Sequence, residues 1–246
     1  MSEVLIEMRV PDDWFVGFHK GLAAHFWAAA GETMIDADAA IVSGLLPLGT
    51  VLDVPCGDGR LSSRLVAAGY DVTGVDVSPH ALERARARGL QARFVEGDLR
   101  ALPDIGPFDS VVSWGNSFGY VTPPETVRAL AAFRRLVKPG GRLVIESATI
   151  AESLLVAGIS EHREIEFAGV KMTSTNHYRA SESRLESEYV FESADGVVEH
   201  SRGAHHVHTA GEVVRMLRDA GFEQVELLDG SGPYQLGSRR MIAVAS

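Results

Sequence analysis

Cysteine is nearly missing from this chain: Cys56 is the only one in 246 residues. A single thiol excludes an intrachain disulfide framework and a cysteine-based zinc site. Basic runs are missing as well. Lysine and arginine number 23 against 33 acids, for a formal charge of −10. An acidic surface repels phosphate backbones, so nucleic acid is not expected as a partner. Arg84, Arg86 and Arg88 alternate with alanine and read as one solvated helix face. No apolar stretch approaches about 18 residues, so no membrane span is expected. The acidic opening "MSEVLIEMRV" lacks the apolar segment of a signal peptide. The expectation is a soluble, cytoplasmic protein without repeats or low-complexity tracts.

What is present is an ordinary globular balance, 46% hydrophobic and 23% charged, at a length suited to one domain with a buried core. Asp12 and Asp13 are placed to start a helix. Trp14, Phe18, Leu22 and Phe26 then recur every four residues, on one face. A second helix is expected over 33–46. An alternation follows: strand "TVLDV", helix 60–68, strand "DVTGVDV", helix 79–88, and strand "QARFVEG". Strand "FDSVVSW", helix 124–137 and strand "RLVIES" continue it. Strands separated by helices imply right-handed crossovers and a parallel sheet. From about 161 to 208 the rhythm changes to four strands with turn signals between them, read as an antiparallel insertion. Thr209 and Glu212 form a capping box for a last helix, and "QVELLD" and "RMIAVA" close the chain.

The expected fold is therefore α/β. It is a Rossmann-like, seven-stranded, mostly parallel sheet with an antiparallel β insertion and an N-terminal helical lid. One domain spans 1–246, with lid helices in 1–48 and a cofactor-binding core in 49–150. The insertion takes 160–208, and a closing helix and strands take 209–246.

Two nucleotide fingerprints compete at the turn after the first strand. A dinucleotide loop requires G-x-G-x-x-G. Counting from Gly57 gives G-D-G-R-L-S, with Ser62 in the place of the third glycine. A P-loop requires G-K-[ST], and here Arg60-Leu61 follow Gly59. An acid, Asp53, ends the first strand, and a second, Asp76, stands nineteen residues beyond Gly57. Carboxylates there repel a pyrophosphate and favour a ligand with positive charge and hydroxyls. NAD is disfavoured by Ser62.

"LDVPCGDGR", "VTGVDVS", "FVEGDLRALP", "FDSVVSWGNSFGY" and "LVKPGGRLVIES", in this order, resemble the class I S-adenosylmethionine-dependent methyltransferases. The likeness covers about residues 50–150 well and the C-terminus loosely. More narrowly, "PCGxGR", "NSFGY" and the insertion are similar to a bacterial subgroup acting on small molecules. The resemblance implies S-adenosyl-L-methionine as cofactor and O-, N- or C-methylation of a small metabolite. It places Asp53, Cys56, Gly57, Gly59 and Arg60 at the methionine end, where glycines admit the ligand and Arg60 meets a carboxylate. Asp76 takes the ribose hydroxyls, Val77 an adenine face, and Asp98 and Leu99 the adenine edge. Trp114 and Asn116 close the fourth strand at its ligand-binding end.

For the acceptor, the resemblance leaves the pocket walls to the lid, the insertion and the "NSFGY" stretch: Phe18, His19, Phe118, Tyr120, His177 and Tyr178. Trp14, Phe15 and Phe26 belong to the same lid, or to an ordinary core-facing helix. His206 and His208 share a strand face and are expected as a general base for a hydroxyl or carbon acceptor. No metal is expected, since two histidines lack a third ligand. No proline follows Asn116, which argues against methylation of exocyclic base amines. Alternatives are a tRNA- or protein-directed methyltransferase and a cofactor-binding protein without transfer. The insertion either pairs two copies as a homodimer or roofs one pocket.

Overall fold

The computed structural model describes residues 9–246. The first eight, which carry most of the signal-peptide argument, lie outside the described residues. Five parallel strands form the body of the main sheet: β1 Thr50–Asp53, β2 Asp71–Asp76, β3 Arg93–Glu96, β4 Phe108–Ser113 and β5 Val137–Ser147. A second sheet is built from β6 His162–Phe167, β7 Val170–Arg179, β8 Arg184–Ser193 and β9 Val198–His206, all antiparallel. β10 Val225–Leu228 and β11 Met241–Ala245 return to the first. Its order is β10-β11-β5-β4-β1-β2-β3, with β11 antiparallel to both neighbours. The seven-stranded, mostly parallel sheet and the antiparallel insertion are thus as expected.

β1 is central because its two middle residues are both apolar. Val51 and Leu52 are fully buried, one on each face, and each such burial contributes about 1.5–3 kcal/mol. On one side Val51 and Val112 meet α3 Ile35–Leu45 and α4 Arg60–Ala67 through Val42, Leu61 and Leu65. On the other, Leu52 and Val111 join the cluster holding α6 Pro123–Leu136 and α8 Ala210–Asp219 through Leu130, Phe133, Val213 and Leu217. α5 Pro79–Ala87 flanks β2 and β3. Its start is fixed by Ser78, whose hydroxyl accepts from the Ala81 N–H, and by Pro79 in the first turn. The capping box of α8 is formed: Thr209 Oγ1 accepts from Glu212 N, and Glu212 Oε2 accepts from Thr209 N at 2.7 Å.

Three local expectations are corrected. The period-four aromatics lie on two helices, α1 Phe15–Phe18 and α2 Gly21–Glu32. His19 and Lys20 leave helical geometry, and Gly21 adopts φ +52°. A short helix, α7 Ala151–Ala157, follows β5 where none was foreseen. β5 starts at Val137, with the glycine turn looped out as its register against β4 shifts between Phe108 and Ser110.

Between the sheets lies α2. Phe26, fully buried, packs against Phe167 and Phe191 of the insertion at ring-centroid distances of 5.4 and 5.6 Å. The aromatic stripe of the lid is therefore a packing face turned toward the insertion.

Candidate functional site

β1 is flanked by β2 and β4, so the chain leaves its end in opposite directions on the two sides. In such sheets the crevice beyond the carboxyl ends at this point is where ligands sit. A cavity of about 170 Å³ occupies it. Asp53, Cys56, Gly57 and Asp58 line it from the first turn, and Asp76, Val77, Ala81, Arg84 and Leu99 from the β2–β3 side. Trp114, Gly115, Ser117, Tyr120 and Val121 contribute from beyond β4, and Phe15, His19, Ala24, Trp27 and Ala28 from the lid.

The two turn glycines do different work. Both have positive φ, 55° at Gly57 and 76° at Gly59. A Cβ on Gly57 would meet nothing within 4 Å, because that side of the backbone is open. A Cβ on Gly59 would stand 3.1 Å from the Ala85 methyl and 3.3 Å from the Phe94 ring. Gly59 thus lets α5 and β3 approach the turn, and it is not among the residues that line the cavity.

Asp76 shapes the turn from beneath. One carboxylate oxygen accepts from Gly57 N at 2.7 Å and the other from Ser78 N at 2.8 Å. Burial raises its pKa, against the pull of these bonds. Asp53 is more deeply buried, and desolvation pushes it up to about 7 even though Ser62 Oγ donates to it at 2.6 Å. Ser62 therefore has a positive role: its hydroxyl holds Asp53 where a dinucleotide fold would place a glycine. Burial also drives the Cys56 thiol far above its usual range, so Cys56 is cavity wall without nucleophilic character.

Arg60 reaches away from the sheet. Its Nη1 donates to the carbonyls of Trp27 and Ala28 at 2.9 and 3.1 Å, and its Nε to Asp58 at 3.0 Å. It ties the lid to the glycine turn. Gly31 makes this possible, since a Cβ there would overlap the guanidinium. Arg60 lines the cavity, but its visible partners are the lid carbonyls and Asp58. The neighbouring Arg84, Arg86 and Arg88 are all exposed, as expected, and each also has a local role. Arg88 donates to the Asp58 carbonyl at 2.7 Å, Arg86 to that of Phe94 at 3.0 Å, and Arg84 stands on the cavity wall.

His19 is held neutral. Burial, then Arg60 and Arg84, lower its pKa to about 4. His205, packed against Trp14 and Tyr120 at 5.8 and 5.1 Å between centroids, is lowered to about 4 by burial.

Other expected site residues lie elsewhere. The Asp98 carboxylate is occupied by Arg100, with three side-chain contacts of 2.6–3.0 Å, and does not line the cavity. Asn116 Oδ1 accepts from Ser147 Oγ, the amides of Ala148 and Thr149, and Thr149 Oγ1, so it fastens the β4 end to the β5 end. Phe118 is core, against the His208 ring. Phe18 belongs to the lid–insertion cluster. His177 and Tyr178, on β7, do not line the cavity. Neither does His206 or His208. His206 pairs with Arg184 across β8 and β9, and His208 is buried beside α8. The parity of β9 gives the reason: when His206 faces Arg184, it is His205 that meets Tyr120, a cavity residue.

Comparison with known proteins agrees with this geometry. Residues 51–141 match the family model described as a methyltransferase domain. The demethylmenaquinone methyltransferase of Thermus thermophilus is 39% identical over 102 residues, covering 39% of this chain and 45% of that protein. The chain thus spans under half the length of that relative. Among solved structures, CcbJ of Streptomyces caelestis superimposes with a TM-score of 0.75 at 19% identity, over 86% of this chain and 88% of that one. The sugar N-methyltransferase KedS8 from a Streptoalloteichus species gives 0.65 at 26% identity, over 96% and 92%. Residues 51–141 are thus similar to a methyltransferase domain, and the chain shares the fold of these solved structures.

Sequence reasoning missed Asp58, Arg84, Trp27 and Val121 as cavity residues. For Arg84 a signal existed. Val77, Ala81 and Arg84 follow at helical spacing from Asp76, which puts them on one line toward the turn. Trp27 and Val121 had none, because their place depends on how the lid docks.

Proposed function

We propose that this chain binds S-adenosylmethionine in the cavity and methylates a small molecule, with an amine nitrogen as the favoured acceptor. One observation carries the reading. Gly57 opens onto free space between two buried carboxylates, Asp53 and Asp76, a cradle suited to a cationic, hydroxyl-bearing ligand and hostile to a diphosphate. Asp76 would take the ribose hydroxyls, Val77 and Leu99 the adenine, and Asp53 the ammonium group. The bound cofactor supplies an electrophilic methyl group on a cationic sulfur.

The chain's own residues then position and exclude. Phe15, Trp27, Tyr120 and Val121 give an apolar enclosure that keeps water from the reacting atoms. The histidine on their side, His19, with a pKa of about 4, is a weak base. A hydroxyl acceptor needs a stronger one. A neutral amine brings its own lone pair. The sugar N-methyltransferase among the structural relatives supports the amine assignment. Cytoplasmic residence fits such a cofactor.

Calorimetry with S-adenosylhomocysteine and with NADH tests the first part. Saturable heat is expected for the former alone, with thermal stabilisation that grows with its concentration. A saturable NADH isotherm beside silence toward S-adenosylhomocysteine would overturn it. Methyl-labelled cofactor offered with a panel of small amines and alcohols tests the second: label confined to alcohol products sinks the amine assignment.

A further inference from the structure

The segment that walls the acceptor half of the cavity is held from outside the cavity, by the insertion. Val10, just before α1, is buried. Its N–H donates to Glu186 Oε1 at 3.3 Å, and its carbonyl accepts from Arg184 Nη2 at 2.6 Å. Arg184 and Glu186 are two apart on β8. Their side chains share a face and satisfy both polar groups of one residue, as a neighbouring strand would. Arg184 is 1% exposed and also lies 3.3 Å from the Asp12 carboxylate. Arg179 Nε donates to the other oxygen of Glu186 at 2.8 Å.

A second hold stands at the far end of the segment. Glu199, on β9, accepts from Leu22 N at 2.8 Å through Oε2 and so caps the first turn of α2. A Cβ on Gly21 would overlap that carboxylate, and Gly21 has φ +52°. The glycine is required twice, for the backbone and for the cap. Between Val10 and Leu22 lie α1 and His19. α1 has four residues and no side-chain cap. A single turn does not hold itself in water. The holds at its two ends add to the packing of Phe15 and Phe18.

We propose that Arg184, Glu186 and Glu199 of the insertion are positioning residues, which fix segment 10–22 at both ends and thereby set where Phe15 and His19 stand over the acceptor. None of the three lines the cavity. The proposal rests on the methyltransferase reading for its consequence, since the groups assigned to the cofactor, Asp53, Gly57 and Asp76, belong to the sheet and not to this segment. The insertion therefore governs the acceptor side and leaves cofactor affinity alone.

The test centres on Glu199, because truncating fully buried Arg184 leaves charges unpaired and endangers folding. Glu199→Ala removes the cap, and Glu199→Gln restores an acceptor oxygen. Hydrogen exchange of the ligand-free protein should show amides of 10–22 exchanging about tenfold faster in Glu199→Ala, with β1 and β2 unchanged and Glu199→Gln near wild type. In the same variant kcat/KM for the amine found in the labelling panel should fall about tenfold, while the Kd for S-adenosylhomocysteine stays within about twofold of wild type. Exchange in 10–22 equal to wild type would overturn the proposal, as would equal losses of cofactor and acceptor affinity. The exchange arm needs no ligand, so it judges the positioning even if wild-type silence toward S-adenosylhomocysteine has already sunk the methyltransferase reading.

Discussion

Gly31→Ala should destabilise this protein, although the same change stabilises an ordinary helix. Gly31 lies in the last turn of α2, where alanine gains about 0.5–1 kcal/mol over glycine. Against this, the new methyl occupies the path of the Arg60 guanidinium. Arg60 then loses its bonds to the Trp27 and Ala28 carbonyls at 2.9 and 3.1 Å. Hydrogen bonds from a charged donor contribute about 1.5–3 kcal/mol. The side chain is 26% exposed and can turn to water while keeping Asp58, so the lower end, about 1.5–2 kcal/mol, applies. The net loss is about 1 kcal/mol, or about 2–4 °C in Tm for a chain of this size. With Arg60→Met as background the clash is gone, and Gly31→Ala should become stabilising by about 0.5–1 kcal/mol. Urea unfolding of the four proteins gives the cycle. The sign must reverse between backgrounds. Equal stabilisation by Gly31→Ala in both would refute the idea that Arg60 fastens the lid.

Two further outcomes are expected. Asp53 has a folded pKa of about 7, above its unfolded value, so the folded state holds the extra proton. Ligand-free stability should fall as pH rises from about 4 to about 7 and level off above, by up to about 4 kcal/mol. Asp53→Asn should flatten that slope in urea midpoints, and an unchanged slope would show that Asp53 is not the group. His208→Asn, outside the cavity, should leave the pH profile of methyl transfer as in wild type; a displaced profile would restore the base role expected from the sequence.

The seven-stranded sheet was legible because each strand and helix around it is encoded locally. "TVLDV" puts two apolar residues directly before Asp53, Ser78-Pro79 starts a helix, and Thr209 with Glu212 starts another. Local signals of this kind survive folding because packing and propensity agree. Asp53, Gly57 and Asp76 were legible for a related reason: the end of β1 is fixed once the strand order is fixed. The lid was misread where a distant residue decides. Nothing near Gly21 announces Glu199, whose carboxylate caps the start of α2.

The histidines show the same division. Alternation along β9 separates His205 from His206, and that much is a property of the sequence. Which of the two faces Tyr120 is settled only when the insertion docks on α2 through Phe26, Phe167 and Phe191. Asp98, Asn116 and Gly59 carry the residue types a ligand site needs, yet Arg100, Thr149 and Ala85 claim them. Strand and turn identity depend on neighbours within a few residues, and the sequence determined them. The assignment of a polar side chain to ligand, lid or core depends on whichever partner arrives first in space, and only the tertiary structure decided it.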